Sequence, residues 1–271
     1  MIEAGGDVAN AVIAPPTPAR VPAHYGTIVV VGGGCYGSYY VRQLARAFRA
    51  DAVTWNRILV VDHNPACAIT ASGLLDASLP GADTLELVIA DWKTFFASYL
   101  SRWASASESS SSDTIVPSPL MPHLMYEWLR DRAAERWSER VVETRPLEAE
   151  PAVPWQRSSP DGTHYVSFAE WMCPINCIEP ERCPHTRGPR NWTMPRALED
   201  YVSAELERGR SITGPIVFHC THRAYGVGMI DTADVVAADR MVSDCGERGP
   251  AEILVGTVSH CHGALNLLSI S

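Results

Sequence analysis

A strand, a glycine-rich turn and a helix follow one another near the start of the chain, and no other stretch constrains the fold as strongly. The sequence TIVVVGGGCYGSYYVRQLARAFRA occupies residues 27–50. It begins with β-branched residues, which are typical of a buried strand. Val41, Leu44 and Phe48 then recur at helical spacing and form an apolar stripe. The run RILVVD, ending at Asp62, predicts a second strand, so the stretch predicts a β-α-β unit.

Three glycines in the turn match the pattern G-x-G-x-x-G. Gly32 permits a tight turn, Gly34 lets a pyrophosphate approach the backbone, and Gly37 allows the helix to pack closely on the strand. The N-terminus of the helix is then directed at the phosphates. Asp62 is predicted to accept hydrogen bonds from the adenosine ribose hydroxyls. Because its carboxylate would repel a 2′-phosphate, the pattern favours NAD over NADP.

On these residues, the stretch 27–62 resembles the first β-α-β unit of Rossmann-fold proteins that depend on a nicotinamide or flavin dinucleotide. The resemblance implies a dinucleotide-binding fold and does not indicate a substrate. Two alternatives stay open. The turn could bind another phosphate compound, and Asp62 could cap a turn within the protein.

Four further strands are predicted at residues 85–90, 114–116, 215–220 and 252–258, with helical patterns between most of them. This alternation predicts an α/β fold with one doubly wound, mostly parallel sheet, Rossmann-like, in strand order 3-2-1-4-5-6.

The predicted domain spans residues 25–271, after a disordered arm at residues 1–24. A Cys/Pro-rich insertion is expected at about residues 140–195, with residues 138–163 as an irregular connection. A serine tract at residues 105–112 is expected to loop into solvent.

The insertion contains Cys173, Cys177 and Cys183 in the spacing C-x₃-C-x₅-C, interleaved with prolines. The chain begins without the basic start and apolar run of a signal peptide, which predicts a cytoplasmic protein and disfavours disulfides. Thiolates on a proline-stiffened loop suit either zinc or an iron–sulfur cluster, and a metal-free rigid loop is the alternative.

Two other segments carry thiols and imidazoles directly after predicted strands. Cys220 and His222 follow the fifth strand, and His260, Cys261 and His262 follow the sixth. In a doubly wound sheet both segments lie at the carboxyl edge, where the dinucleotide binds. Cys220 and Cys261 are therefore predicted as additional metal ligands, and the three histidines as acid–base or ligand candidates.

Composition narrows the classes of partner. The chain has a net charge of −9 and no strongly basic segment, which argues against nucleic acid and anionic membranes. A small-molecule substrate is expected, and Arg187 and Arg190 in the insertion could bind an anionic one. A homodimer is expected only because homodimers are common.

These features together predict an NAD-dependent oxidoreductase with a cysteine-ligated metal or iron–sulfur site beside the dinucleotide. The alternative is a regulatory module that senses a dinucleotide or a metal without catalysis. A metal-handling protein of cofactor assembly is a third possibility. The large number of thiols and imidazoles at the strand ends favours the enzyme hypothesis over the sensor hypothesis, because a sensor needs fewer such groups.

Overall fold

The computed structural model describes residues 22–75, 84–105, 112–169, 173 and 177–271. Twelve strands lie in these ranges: β1 (Ala23–Val31), β2 (Val53–Asp62), β3 (Leu85–Ile89), β4 (Thr114–Val116), β5 (Val142–Arg145), β6 (Trp155–Ser158), β7 (His164–Ser167), β8 (Ile212–His219), β9 (Thr221–Ala224), β10 (Val227–Asp231), β11 (Ala251–Val258) and β12 (His262–Ile270). Six helices lie in the same ranges: α1 (Cys35–Arg49), α2 (Ala68–Ala71), α3 (Trp92–Ser105), α4 (Leu124–Arg136), α5 (Met194–Glu207) and α6 (Thr232–Glu247).

The strands form two mixed sheets. The first sheet has the order β3-β2-β1-β4-β10-β9, in which β1 to β4 run parallel and the β9–β10 hairpin adds antiparallel strands. The second sheet has the order β6-β7-β12-β11-β8, and β5 also pairs with β12. In the second sheet only the β8–β11 pair is parallel among the described strands.

Three apolar clusters hold the two sheets and the helices in layers. Helix α1 and the short α2 cover the outer face of the first sheet. Helices α3, α4 and α6 lie between the two sheets and share one core with both. Helix α5 covers the outer face of the second sheet.

The alternation of side chains along the strands explains why each sheet is apolar on both faces. Val29 and Val31 of β1 belong to the central core, whereas Ile28 and Val30 point to the α1 side. In β11, Ile253 and its alternate neighbours face the central helices, whereas Leu254 faces α5. Continuous apolar runs such as TIVVV and EILVGTV are what strands covered on both faces require.

The α/β class is confirmed, and β1 to β4 take the relative order 3-2-1-4 that the sequence predicts. The prediction of a single doubly wound, mostly parallel sheet is wrong. The predicted fifth and sixth strands correspond to β8 and β11, which form a second sheet on the far side of the central helices. The prediction of an irregular connection at residues 138–163 is also wrong, because this stretch contains β5 and β6.

Parts of the chain on which the sequence makes predictions lie outside the described residues. These are the arm up to residue 21 and most of the serine tract. Ala23 and His24, predicted to belong to the arm, are the first residues of β1. In the described ranges, no helix combines the length and the apolar character needed to span a membrane.

The glycine turn that joins β1 to α1 is tightly packed at Gly37. Gly32 has a φ of 86° and donates its N–H to Val61 O at 2.9 Å. A Cβ on Gly37 would lie 1.8 Å from Gly32 O, so only glycine fits there. A Cβ on Gly34 would meet nothing within 4 Å. The predicted roles of Gly32 in the turn and Gly37 in packing are therefore confirmed, and the Gly34 side of the turn is open.

These contacts predict opposite outcomes for two matched substitutions. Gly37→Ala should lower the free energy of unfolding by about 3 kcal/mol, because a backbone clash forces α1 away from β1. Gly34→Ala should cost less than about 1 kcal/mol, since its methyl group enters open space. Denaturant unfolding of both variants checks this, and equal losses would contradict the packing described for the turn.

Candidate functional site

A cavity of about 160 Å³ lies where the beginning of α1, the loop after β4, the cysteine segment and the second sheet meet. Its wall contains most of the thiols and imidazoles that the sequence singles out. The contributing residues are Tyr36, Tyr40, Pro117, Ser118, Pro119, Pro122, Cys173, Cys177, Glu179, Cys220, His222, Gly228, Thr257, Val258, Ser259, Cys261, His262 and Gly263. Segments far apart in sequence therefore form one site.

The parallel pairing of β8 with β11 brings two of these segments together. His219 at the end of β8 pairs with Val258 at the end of β11. The N–H of Cys220 then donates to Val258 O at 2.7 Å. The segments that follow the two strands consequently begin side by side, as the sequence predicts, although in the second sheet rather than the first.

The turn between β11 and β12 is fixed on several sides. Ser259 N–H donates to His262 O at 2.8 Å, and Cys261 N–H donates to Ser259 Oγ at 3.2 Å. Phe168 N–H donates to Cys261 O at 2.9 Å, and Met194 N–H donates to His260 O at 2.9 Å. These bonds fix the backbone of the turn, which places Cys261, a residue that is 3% exposed, in the cavity wall.

Two of the three cysteines of the insertion line the cavity, and Cys183 is not among the lining residues. Cys173 and Cys177 line it, and the thiols of Cys183 and Cys261 are close enough to act electrostatically on Cys173. Burial first, and then these neighbouring thiols, raise the pKa of Cys173 to about 11. All eight cysteines are free.

Cys183 differs from its neighbours because it sits in a tight turn. It is 2% exposed, its N–H donates to Gly188 O at 3.0 Å, and its carbonyl accepts from Arg187 N–H at 2.9 Å. Hydrogen bonds from Thr186 and His185 lower the pKa of its thiol, although burial acts in the opposite direction. Among the described residues, no three His, Cys, Asp or Glu side chains are placed so that they could hold a metal ion.

Glu179 is the central carboxylate of the cavity, and sequence reasoning missed it. Its Oε1 accepts the N–H of His260 at 3.0 Å, and its Oε2 lies 3.5 Å from His222 Nδ1. Its side chain is 14% exposed and its φ is 52°, a left-handed value that is uncommon outside glycine. Nothing in the string CIEPERC distinguishes it from the exposed Glu181.

The histidines of the cavity are biased toward the neutral form. Burial lowers the pKa of His222 and His262, while the charge of Glu179 opposes the shift in both. His219 at the end of β8 has its pKa lowered in the same way. A neutral imidazole can accept a proton or coordinate a metal, so His222 and His262 suit the predicted roles. His260 contributes mainly its backbone, through the bonds to Glu179 and Met194.

Cys220 stands apart from the other predicted ligands. It packs against Gly228, where a Cβ would come within 2.5 Å of its sulfur and 3.2 Å of His222 Cδ2. Burial, reinforced by the charge of Glu179, raises the pKa of its thiol to about 12. Burial and the nearby Cys220 also raise the pKa of Tyr40. Cys220 therefore lines the same cavity as the other thiols, but beside Gly228 and with a raised pKa.

Helix α1, which begins at the glycine turn, contributes two side chains to the cavity wall. Tyr36 and Tyr40, one turn apart on the helix that begins just after Gly34, line the cavity beside the thiols. Asp62 acts within the protein: its carboxylate accepts Gly33 N–H at 2.7 Å and Asn64 N–H at 2.8 Å. The turn-capping alternative is thus observed, and ribose binding by Asp62 stays a prediction.

The two arginines proposed for an anionic substrate have different positions. Arg187 is exposed, and its carbonyl accepts a hydrogen bond from Arg182. Arg190 is half-buried and donates to Pro180 O and to the sulfur of Cys261. Arg190 therefore lies next to Cys261 of the cavity wall, although neither arginine is itself a lining residue.

One protein family model matches the sequence of this chain. The family model AF_1314_C, described as "Uncharacterized protein, C-terminal domain", matches residues 125–271, which is more than half of the chain. The matched region contains the cysteine segment and the whole second sheet, but not the glycine turn. No curated protein and no solved structure matches the chain significantly.

The lowered histidine pKa values predict a stability that depends on pH. In the unfolded chain histidines take up protons below about pH 6.5, whereas His219, His222 and His262 resist protonation in the fold. The free energy of unfolding should therefore decrease as the pH falls from about 7.5 to about 5.5. A His222→Gln, His262→Gln double variant should show a weaker decrease in denaturant titrations. An identical pH dependence in both proteins would contradict the assignment.

Proposed function

We propose that this chain, which belongs to the AF_1314_C family, is an NAD-dependent oxidoreductase with a cysteine-ligated metal or iron–sulfur site next to the dinucleotide. One observation carries the proposal. The helix that starts at the glycine turn lines the same cavity as the cysteines and histidines of the second sheet.

The open side of the glycine turn is suited to a pyrophosphate. Gly34 leaves free space where a side chain would otherwise stand, and it caps α1 without a side-chain hydrogen bond. The first turn of α1 carries no acidic residue. Unsatisfied N–H groups and the helix dipole at such an end attract phosphate. Gly32, Gly34 and Gly37 are therefore the residues that would hold the dinucleotide.

The cavity suits a small substrate that exchanges a proton during the reaction. When bound, a nicotinamide supplies hydride donation or acceptance. His222 and His262, neutral because of their burial, would take the proton that leaves a substrate hydroxyl, or return it in the reverse direction. Glu179 would stabilise the imidazolium that forms on His222, since its carboxylate lies 3.5 Å from Nδ1.

The size of the cavity bounds the substrate. A volume of about 160 Å³ is below the range of roughly 300–1,000 Å³ typical of drug-sized ligands. Arg190 is one cation near the cavity that could attract an anionic group on the substrate. A small, anionic hydroxy or carbonyl compound fits these limits.

Fluorescence titration with NADH tests the cofactor. The unmodified protein should bind NADH saturably, and NADPH more weakly because of Asp62. Gly34→Ala should weaken NADH binding by at least about tenfold, since the methyl group occupies the space that the pyrophosphate needs. The stability of this variant, expected to be nearly unchanged, serves as its control. Absence of saturable NADH binding, or equal affinity in Gly34→Ala, would contradict the proposal.

A further inference from the structure

We propose that Cys220 is a catalytic nucleophile, with His222 as its general base and Glu179 as the residue that positions His222. This inference deepens the proposed oxidoreductase function and rests on it for the hydride transfer. It narrows the substrate to a small aldehyde, which the protein would oxidise to a carboxylic acid while the carbon is bonded to sulfur. Cys220 is then a nucleophile and not a metal ligand.

The sulfur of Cys220 and the imidazole of His222 lie next to one glycine of β10. In the β9–β10 hairpin, Gly228 is the cross-strand partner of His222. A Cβ on Gly228 would lie 2.5 Å from Cys220 Sγ and 3.4 Å from His222 Nε2. The distance from Sγ to Nε2 is therefore no longer than these two distances added together. A side chain at Gly228 would displace the sulfur, so the glycine makes room for the pair.

Glu179 lies on the other side of the imidazole. Its Oε2 is 3.5 Å from His222 Nδ1, and its Oε1 accepts the backbone N–H of His260 at 3.0 Å. Nδ1 is buried and has no hydrogen-bond partner among the described residues. Hydrogen bonds of this kind are often long before a substrate binds. A carboxylate beside Nδ1 favours the tautomer that carries its proton there, which leaves Nε2 free to accept a proton from Cys220.

The three side chains face a space that a substrate can enter. Cys220, His222, Glu179 and Gly228 all line the cavity. Cys220 is partly exposed, whereas Cys183 of the cysteine segment is buried and does not line the cavity. A small carbonyl compound in the cavity can therefore reach the sulfur of Cys220 and the imidazole beside it.

Burial keeps the thiol and the imidazole neutral before the reaction. It raises the pKa of Cys220 to about 12 and lowers the pKa of His222. A protonated thiol is a poor nucleophile until a base removes its proton. The neutral imidazole of His222 can take that proton as the sulfur attacks, and the carboxylate of Glu179 stabilises the imidazolium that forms.

The reaction proceeds in three balanced steps. His222 takes the thiol proton while the sulfur bonds to the aldehyde carbon, and the proton then passes to the carbonyl oxygen, which gives a thiohemiacetal. The same carbon gives a hydride to NAD⁺ while the hydroxyl loses its proton, which gives a thioester and NADH. Water attacks the thioester, the C–S bond breaks, and the thiol regains its proton as the carboxylic acid leaves.

Acylation by p-nitrophenyl acetate tests the nucleophile without any dinucleotide. The unmodified full chain should release p-nitrophenolate, and peptide mass spectrometry should find the acetyl group on Cys220. Cys220→Ala should lose this label, and His222→Gln should be labelled at least about a hundredfold more slowly at Cys220. Cys245→Ala removes a thiol of α6 that does not line the cavity, so this control should react like the unmodified protein. Circular dichroism checks that each variant is folded.

Glu179→Gln separates a positioning role from a structural one. Glutamine keeps an oxygen for the N–H of His260 but presents an amide to His222, which favours the opposite tautomer. Labelling of Cys220 should slow by at least about tenfold. Nitrogen NMR of isotope-labelled histidine should place the His222 proton on Nδ1 in the unmodified protein and on Nε2 in the variant. An unchanged tautomer with an unchanged rate would overturn the role of Glu179.

Carbon NMR with isotope-labelled acetaldehyde tests the substrate class. The unmodified protein should give a thiohemiacetal signal that is absent from Cys220→Ala, and absence from both would overturn the aldehyde. Three results would overturn the nucleophile: no acetyl group on Cys220, an unchanged rate in His222→Gln, or an equal loss in Cys245→Ala.

NADH titration of the same samples separates this inference from the proposed function. NADH binding without acetylation of Cys220 overturns the nucleophile alone. Acetylation of Cys220 without NADH binding supports the nucleophile and overturns the dinucleotide function.

Discussion

The register of β8 against β11 is the constraint on which the site depends. Because these strands run parallel and end opposite each other, Cys220 N–H reaches Val258 O at 2.7 Å. The β9–β10 hairpin and the β11–β12 turn therefore start from adjacent points. A slip of one residue would turn every side chain of β11 to the opposite face, exchanging the residues that pack against the central helices with those that pack against α5.

The cysteine segment is held against this pair of turns by a few specific contacts. Glu179 accepts the N–H of His260, and Cys261 O accepts the N–H of Phe168 just before the segment. Glu179 and Arg190 are charged neighbours of several of these thiols and imidazoles. Burial keeps the imidazoles neutral, so the charge balance of the cavity depends on this pair.

Local patterns in the sequence predict part of this arrangement. The glycine pattern predicts the turn, and the apolar runs predict β1 to β4. Helix α5 is predicted by its apolar periodicity, by Pro195 in its first turn and by Gly209 after its end. The sequence also predicts that the segments after β8 and β11 converge, because the segments that follow parallel strands meet at one edge. These segments contribute Cys220, His222, Cys261 and His262 to the cavity.

Several strands of the two sheets could not be predicted in the same way. β5 and β6 are short, with mostly polar side chains, and carry little apolar signal. The hairpin β9–β10 turns at Tyr225 and Gly226, both with positive φ, and the sequence lacks the usual Asn-Gly or Asp-Gly signal there. β12 contains Gly263 and Asn266, residue types depleted in strands. The role of Glu179 depends on tertiary contacts that no local pattern records.

The central claim is that the glycine turn and the thiols belong to one site. Its most direct test is the alkylation rate of each cysteine in the cluster-free protein, measured by peptide mass spectrometry with and without saturating NADH. Bound NADH should slow the alkylation of Cys173 and Cys177, which line the cavity, and leave that of Cys245 on α6 unchanged. Saturable NADH binding with unchanged rates at Cys173 and Cys177 would contradict the claim.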